Sequence, residues 1–375
     1  MQNLQNQLSY FKKRYGECEA NAKNILPNIT IIADYSIQPG DLAFKEVVAK
    51  LRGFIPNSSV DIAPISPFNT VETGFVLAET ALNATHPYNA YLVNTAPRKD
   101  DKKERDKNEG EKLAVAVLPH NHSLIAGVNS GYTFSYVKQY AEIYELDIPN
   151  KGSQFRSRDI YPAILYVLIK GQTEISKEEL HEILPAHIAD YYPKGIKNII
   201  KRKIDNSEIP DPMENAIIYT DGYGNLKAHL DKDNHVHLEG RKFTIYINSK
   251  LCQAILTEGS FDVKDGEFAL STGSSGWKVG DNGKMKFSEV FKRGGNASDH
   301  FNYPASGSKI YAVPTNIFLK LKQKLMSLNE LKYISDKAIF SGIINAGLIE
   351  GLNFEKVSNI LKDENILKQL LFNIA

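Results

Sequence analysis

Residues 29–51 read ITIIADYSIQPGDLAFKEVVAKL, and the change of pattern inside this stretch decides how the first half of the chain is built. Ile29–Ala33 is an apolar, β-branched run of strand length, suited to a sheet covered on both faces. Asp34-Tyr35-Ser36 through Pro39-Gly40-Asp41 is loop chemistry. From Leu42 to Leu51 the spacing turns helical, and Pro56-Asn57 closes that helix. The alternation repeats outward. Val60–Ile65 reads as a strand and residues 69–82 as a helix with Val71, Phe75, Ala78 and Leu82 on one face. Tyr91–Val93 and Leu113–Leu118 are further short strands. The pattern predicts an α/β domain with a mainly parallel sheet over residues 29–209, preceded by a helical N-terminal extension over 1–28.

Pro210-Asp211-Pro212 is the strongest linker signal in the chain. Beyond it, residues 213–304 hold short alternating segments such as Phe243–Ile247, punctuated by Asp-Gly, Gly-Asn and Asp-Asn-Gly turns, which predict a smaller antiparallel β domain. Residues 305–375 read as a helical C-terminal extension. Ile317, Leu321, Leu325 and Leu328 form one apolar stripe there, and Phe354, Val357, Ile360 and Leu361 another. Such stripes pack a core or an oligomer first, and a protein partner second.

Composition excludes several classes. With 375 residues the chain exceeds one ordinary core. Its 45 Lys+Arg against 44 Asp+Glu leave no global field to hold a polyanion. Two cysteines, Cys18 and Cys252, cannot build a disulfide framework. The N-terminal residues lack the apolar core of a signal peptide, and no run of about 18 apolar residues exists, so the expectation is a cytoplasmic protein that spans no membrane. Residues 98–112 (RKDDKKERDKNEGEK) carry 13 charges in 15 positions and read as a solvated loop. Residues 157–204 read as mostly helical, ending in the basic stretch Lys194–Lys203. Ile196, Ile199 and Ile200 at helical spacing make its lysines a wet face and argue against a nucleic-acid site.

Standard motifs are missing. No GxGxxG follows the first strand, no GxxxxGK precedes a Ser or Thr, and no GxSxG elbow occurs. His120 and His122, and again His235 and His237, share the strand spacing that metal sites use, but no third ligand stands out and turn chemistry surrounds the second pair, so no metal is expected.

Several short patterns fall in one order along the chain. They comprise Asp34-Tyr35-Ser36 with Asp41 and Phe44, Pro67-Phe68-Asn69, Leu118-Pro119-His120-Asn121 and Phe155-Arg156-Ser157-Arg158-Asp159. In the second half follow Asp221-Gly222-Tyr223-Gly224-Asn225, Ser274-Ser275-Gly276 and Gly295-Asn296-Ala297-Ser298. This order resembles the S-adenosylmethionine (SAM) hydroxide adenosyltransferase family, whose relatives include SAM-dependent halogenases. The resemblance covers roughly residues 29–304. It implies an N-terminal α/β domain, a C-terminal β-barrel-like domain, a trimer, and SAM held between neighbouring subunits as substrate, with no further cofactor.

The resemblance also implies roles. Asp34, with Ser36 as its rival, would hold the ribose hydroxyls, and Phe68 would lie near the sugar. Asn121 belongs to the segment similar to P-D/N-N-G-L-L. Asp221 would meet the methionine amine, Tyr223 would pack on adenine and Asn225 would bond its edge. Ser274, Asn296 and Ala297 would offer groups to the methionine end and to adenine. The residue types suit these roles, since a carboxylate matches an ammonium or a diol, a π face a purine, and an amide a paired donor and acceptor.

Two departures bear on chemistry. The family's water-activating Asp is matched by Asn94 and its His by Arg156. An amide takes no proton and a guanidinium stays charged, so neither serves as a general base. Arg156 and Ser157 would then bind the nucleophile. Three readings stay open: a SAM-cleaving enzyme, a non-catalytic SAM or adenosine binder, and a protein acting on another adenine nucleotide, with Arg156 and Arg158 facing phosphate.

Overall fold

The computed structural model describes residues 2–20, 27–36, 38, 40–95, 111–149, 152–230, 242–280, 283–328, 334–345, 359–363, 365–368 and 370. The chain divides into two compact units, residues 1–212 with 277–284, and residues 213–276 with 285–375. Most of the charged loop (98–110), His235, His237, Phe354 and Val357 lie outside the described residues.

In the first unit, α1 (Gln2–Ala20) precedes β1 (Asn28–Ala33), α2 (Leu42–Phe54), β2 (Ser59–Pro64), α3 (Thr70–Leu82) and β3 (Asn89–Asn94). β1 runs parallel to both β2 and β3, with Ile31 opposite Ile62 and Leu92. The two-residue period of a strand sorts the side chains. Ile29, Ile31, Ala33 and Leu92 join a core with Val47 and Leu51 of α2. Tyr91 faces the other way, and its hydroxyl donates to the Thr80 carbonyl on α3 at 3.0 Å. The predicted face of α3 is buried at Val71, Phe75, Ala78 and Leu82. Its start is capped by Asn69, which accepts the Glu72 amide at 3.0 Å. Gly74 is required there, because a Cβ would lie 2.3 Å from the Tyr132 carbonyl oxygen.

The remaining strands correct the expectation of a mainly parallel sheet. β4 (Leu113–Val117), β5 (Leu124–Val128), β6 (Ile143–Leu146) and β7 (Ile200–Lys203) complete the order β2-β1-β3-β5-β4-β6-β7. β5 is parallel to β3, but β4 is antiparallel to β5 and β6, and β7 is antiparallel to β6. The cause is local: residues 118–123 form a tight connection, with the His122 amide donating to Leu118 at 2.8 Å. A parallel return needs a crossover of a dozen residues or more.

Helices α4 (Arg156–Asp159), α5 (Tyr161–Ile169), α6 (Lys177–Ile183) and α7 (Ala186–Ala189) fill the segment before β7. The basic stretch itself is corrected: Ile200–Lys203 is a strand, not a helical end. Arg202 stands opposite Glu145 of β6, which is only 7% exposed. Lys201 and Arg202 lie 2.8 and 2.9 Å from its carboxylate. Cross-strand pairing of a buried acid outweighs the helical spacing of the isoleucines. The α1 helix, read as a lead-in, is part of this core: Leu4, Leu8 and Phe11 are fully or almost fully buried. Trp277 is buried in the same unit, its indole N–H donating to the Tyr140 hydroxyl at 2.9 Å.

The second unit contains β8 (Ala216–Thr220), β9 (Leu226–His229), β10 (Lys242–Ile247), β11 (Lys250–Thr257), β12 (Phe268–Val279) up to Gly276, β13 (Gly283–Lys292) from Met285, α8 (Ala297–His300), β14 (Tyr311–Pro314), α9 (Thr315–Leu328) and α10 (Asp336–Asn345). Strand order is β14-β10-β11-β12-β13-β9-β8. The β10–β11 hairpin closes on Asn248-Ser249, both at positive φ, as a two-residue primed turn demands. β11 and β12 are parallel, so this sheet too is mixed rather than wholly antiparallel. Ala216 of β8 bridges Lys309 just before β14, which curls the two ends of the sheet together. Phe243, Ile245, Ile247, Leu270 and Phe301 form the interior. Tyr246 points outward and stacks on Phe340 of α10, with ring centroids 5.3 Å apart. Leu321 and Leu325 of the predicted stripe are buried against the same face. β14 shows that the C-terminal segment begins inside the sheet. No helix among the described residues is long and apolar enough to cross a membrane.

Candidate functional site

The β8–β9 turn is built by Asp221. Its Oδ1 accepts the amides of Tyr223 at 2.9 Å and Asn225 at 3.0 Å, and its Oδ2 accepts Asn225 Nδ2 at 3.1 Å. Gly224 sits at φ +80°, and a Cβ on it would lie 2.0 Å from Asn296 Oδ1. Asn296 caps α8 by accepting the Asp299 amide at 2.9 Å, and the Gly224 carbonyl accepts the Ser298 amide at 2.9 Å. The turn and the start of α8 are therefore locked together. This geometry holds the Tyr223 ring out into solvent, 83% exposed.

Tyr223, Asn225 and Ser274 from the predicted set line one open groove of about 700 Å³, together with Ser271, Thr272, Glu289, Gly294 and Gly295. That volume suits a nucleoside-sized ligand. Asn296 and Ala297 are not among the lining residues: the first, exposed, caps α8 against Gly224, and the second is buried. The sequence reading missed Phe261, Lys292 and Arg293, which also line the groove. Phe261 carried no signal, because an aromatic residue in the sequence gives no sign that its ring is 82% exposed. The cations did carry one, since Lys292-Arg293 directly precede Gly294-Gly295-Asn296.

Electrostatics in the groove are internally arranged. Lys227, 7% exposed, lies 3.8 Å from Asp221 Oδ2 and 3.5 Å from Glu289 Oε2. Asp221 is thus held by two backbone amides, an amide side chain and an ammonium, all from its own unit.

Three candidates of the first unit, Asp34, Phe68 and Asn94, lie at the carboxyl ends of the parallel strands β1, β2 and β3, where α/β sheets bind ligands, whereas Asn121 precedes the amino end of β5 and Arg156 and Ser157 lie on α4. Asp34 follows β1, accepts the Phe68 amide at 2.9 Å and donates its own amide to the Asn94 carbonyl at 3.3 Å. Phe68 is 53% exposed at φ +61°, an unusual conformation for a bulky residue. Ser157 is buried beside Tyr35, whose hydroxyl is buried without a well-formed hydrogen bond and is pushed up by that burial. Arg156 lines a different cavity, about 30 Å³, with Glu111, Glu145, Tyr161 and Lys201, room for little more than a water. Arg158 is tied to Glu46 at 3.1 Å and Asp159 at 2.7 Å, which leaves it poorly placed for phosphate. Asn121 donates to the Ala81 and Ala84 carbonyls at 2.8 and 3.2 Å, pinning a turn. The His120 ring meets the Leu82 carbonyl at 3.1 Å. Among the described residues no group of three or more His, Cys, Asp or Glu could hold a metal ion.

Fold and groove together define a two-unit protein with a mixed α/β unit and a curled β unit that carries an open cleft. No family model matches the chain, and no curated protein matches it. Among solved structures it is similar to an uncharacterized conserved protein from Thermotoga maritima, with a TM-score of 0.51 and 16% identity over 76% of this chain and 99% of that one. A conserved hypothetical protein from Thermus thermophilus aligns with a TM-score of 0.47 and 14% identity over 76% and 99%. The likeness to the Thermotoga protein is one of fold.

Proposed function

We propose that this protein binds an adenosyl ligand in the groove of its second unit, and that it cleaves SAM there at C5′ with water. One observation supports the reading: three segments far apart in sequence, around Tyr223, Ser274 and Gly295, meet on one groove. Tyr223 offers a π face for a purine. With Nδ2 of Asn225 held by Asp221, its Oδ1 is the acceptor for the exocyclic amine. By resemblance, the α/β face that completes the site comes from a neighbouring copy in a trimer.

In the reaction, a water oxygen bonds to C5′ as the C5′–S bond breaks. The electron pair goes to sulfur, methionine leaves uncharged at that atom, and the water proton passes to solvent. A sulfonium needs no acid to depart. Asn94 and Arg156 cannot remove the proton, so positioning and exclusion of bulk water carry the rate. Incubation of the pure protein with SAM is expected to release adenosine and methionine in equal amounts.

A second reading, binding without cleavage, is favoured by a specific arrangement. Arg156 lines the cavity beside Glu145 while Ser157 lies beside Tyr35, so the two supposed nucleophile-binding residues do not share a pocket. No turnover together with adenosine binding would select it. No turnover and no adenosine binding would end both readings.

A further inference from the structure

We infer that the Lys292–Arg293 end of the groove takes a phosphate, so that an adenosine 5′-phosphate is held there more tightly than SAM. The inference rests on the adenine reading of Tyr223 and Asn225 and adds to it the class of the 5′ substituent.

What surrounds each charge separates the two ligands. Lys292 Nζ lies 5.6 Å from the centroid of the Phe268 ring. The Arg293 guanidinium lies 5.4 Å from the centroid of the Phe261 ring, and its Nη1 donates to the Phe261 carbonyl at 3.2 Å and to the Val263 carbonyl. Rings and carbonyls orient these cations without neutralising them, and both line the groove. Their partners among the described residues are thus neutral groups. The carboxylates behave oppositely. Asp221 and Glu289 share the ammonium of Lys227, so the place where an amino-acid ammonium would dock is already filled by the chain's own. Among the described residues the groove is lined by two carboxylates, Glu289 and the exposed Glu258. The exposed hydroxyls of Thr272 and Ser274 add donors suited to phosphate oxygens. A zwitterionic methionine tail on a sulfonium finds its ammonium partner occupied, whereas a phosphate finds two cations that form no ion pair with a carboxylate among the described residues, with the Asp265 carboxylate lying against Gly294 beside them.

Titration calorimetry on the full chain with adenosine, AMP and SAM tests this. AMP is expected to bind about tenfold more tightly than adenosine, the gain of one charge-assisted contact, and to weaken as salt rises. In Lys292→Gln the AMP-over-adenosine preference is expected to fall towards parity, and in Lys292→Arg, which keeps the charge, to persist. AMP no tighter than adenosine, or weaker than SAM, would overturn the phosphate while leaving the adenine groove standing. A preference unchanged in Lys292→Gln would likewise overturn it. Failure of both adenosine and AMP to bind would overturn the groove reading along with it.

Discussion

Asp221 and Tyr223 divide the work of one five-residue turn. The carboxylate organises the backbone, and the ring stands free of it at 83% exposure. Substitution should separate these roles. Tyr223→Ala removes an exposed ring and is expected to change folding stability by no more than about 0.5 kcal/mol, yet to weaken adenosine binding by about 1–3 kcal/mol. Asn225→Ala should weaken it by a similar amount. Asp221→Ala should lower stability by about 1–2 kcal/mol through its unmet turn amides, and loosen adenosine binding because Tyr223 and Asn225 lose their support. Urea denaturation and calorimetry on the three variants would check this, and affinity unchanged from the wild type in all three would remove the assignment. The turn was legible in sequence because Asp-Gly and Gly-Asn act over five residues. Phe261 was not, since its place in the groove depends on contacts distant in the chain.

Elements show the same division between local and distant causes. The helical face of α3 and the strand at Ile29–Ala33 follow from spacing alone, and both stand where the pattern put them. β7 does not, because its state is decided by β6. Arg202 lies opposite the buried Glu145. For Glu145, burial pushes the carboxyl up, but Lys201 and Arg202 together hold it below its ordinary value. Glu142, just before β6, is lowered to about 2 by Lys203 first, then by Tyr144 and Asn3. A depressed carboxyl binds fewer protons folded than unfolded. Its contribution is therefore present above the ordinary value of 4.5 and lost as pH falls through about 2. Glu142→Gln is expected to flatten the fall in melting temperature across that window; an unchanged slope would count against the assignment. The same contact ties α1 to the sheet, since Asn3 donates to Glu142 at 2.8 Å. Phe11→Ala should cost about 3–5 kcal/mol in chemical denaturation, a loss that a loosely attached helix would not show. The polar composition of residues 1–28 concealed this, because Leu4, Leu8 and Phe11, the buried positions among the described side chains of α1, make a narrow stripe on a long helix.

For the whole molecule, the sequence divided the chain at Pro210–Pro212, and the compact units divide at residue 212 with residues 277–284 returning to the first. That return was beyond reach of the pattern, because Trp277 looks like any hairpin residue until Tyr136 and Tyr140 are found beside it. The adenosyl reading likewise depends on distant segments coming together. Motifs at 221–225, 274–276 and 295–298 are each weak, and their joint placement around one cleft is what supports it. The most direct test is a crystal structure of the protein soaked with SAM. Adenine is expected to lie against Tyr223 with its amine on Asn225 Oδ1, and the density at C5′ reports whether the bond to sulfur is intact. An adenosyl ligand ordered elsewhere, or an empty groove at a concentration that saturates binding in solution, would contradict the adenosyl reading.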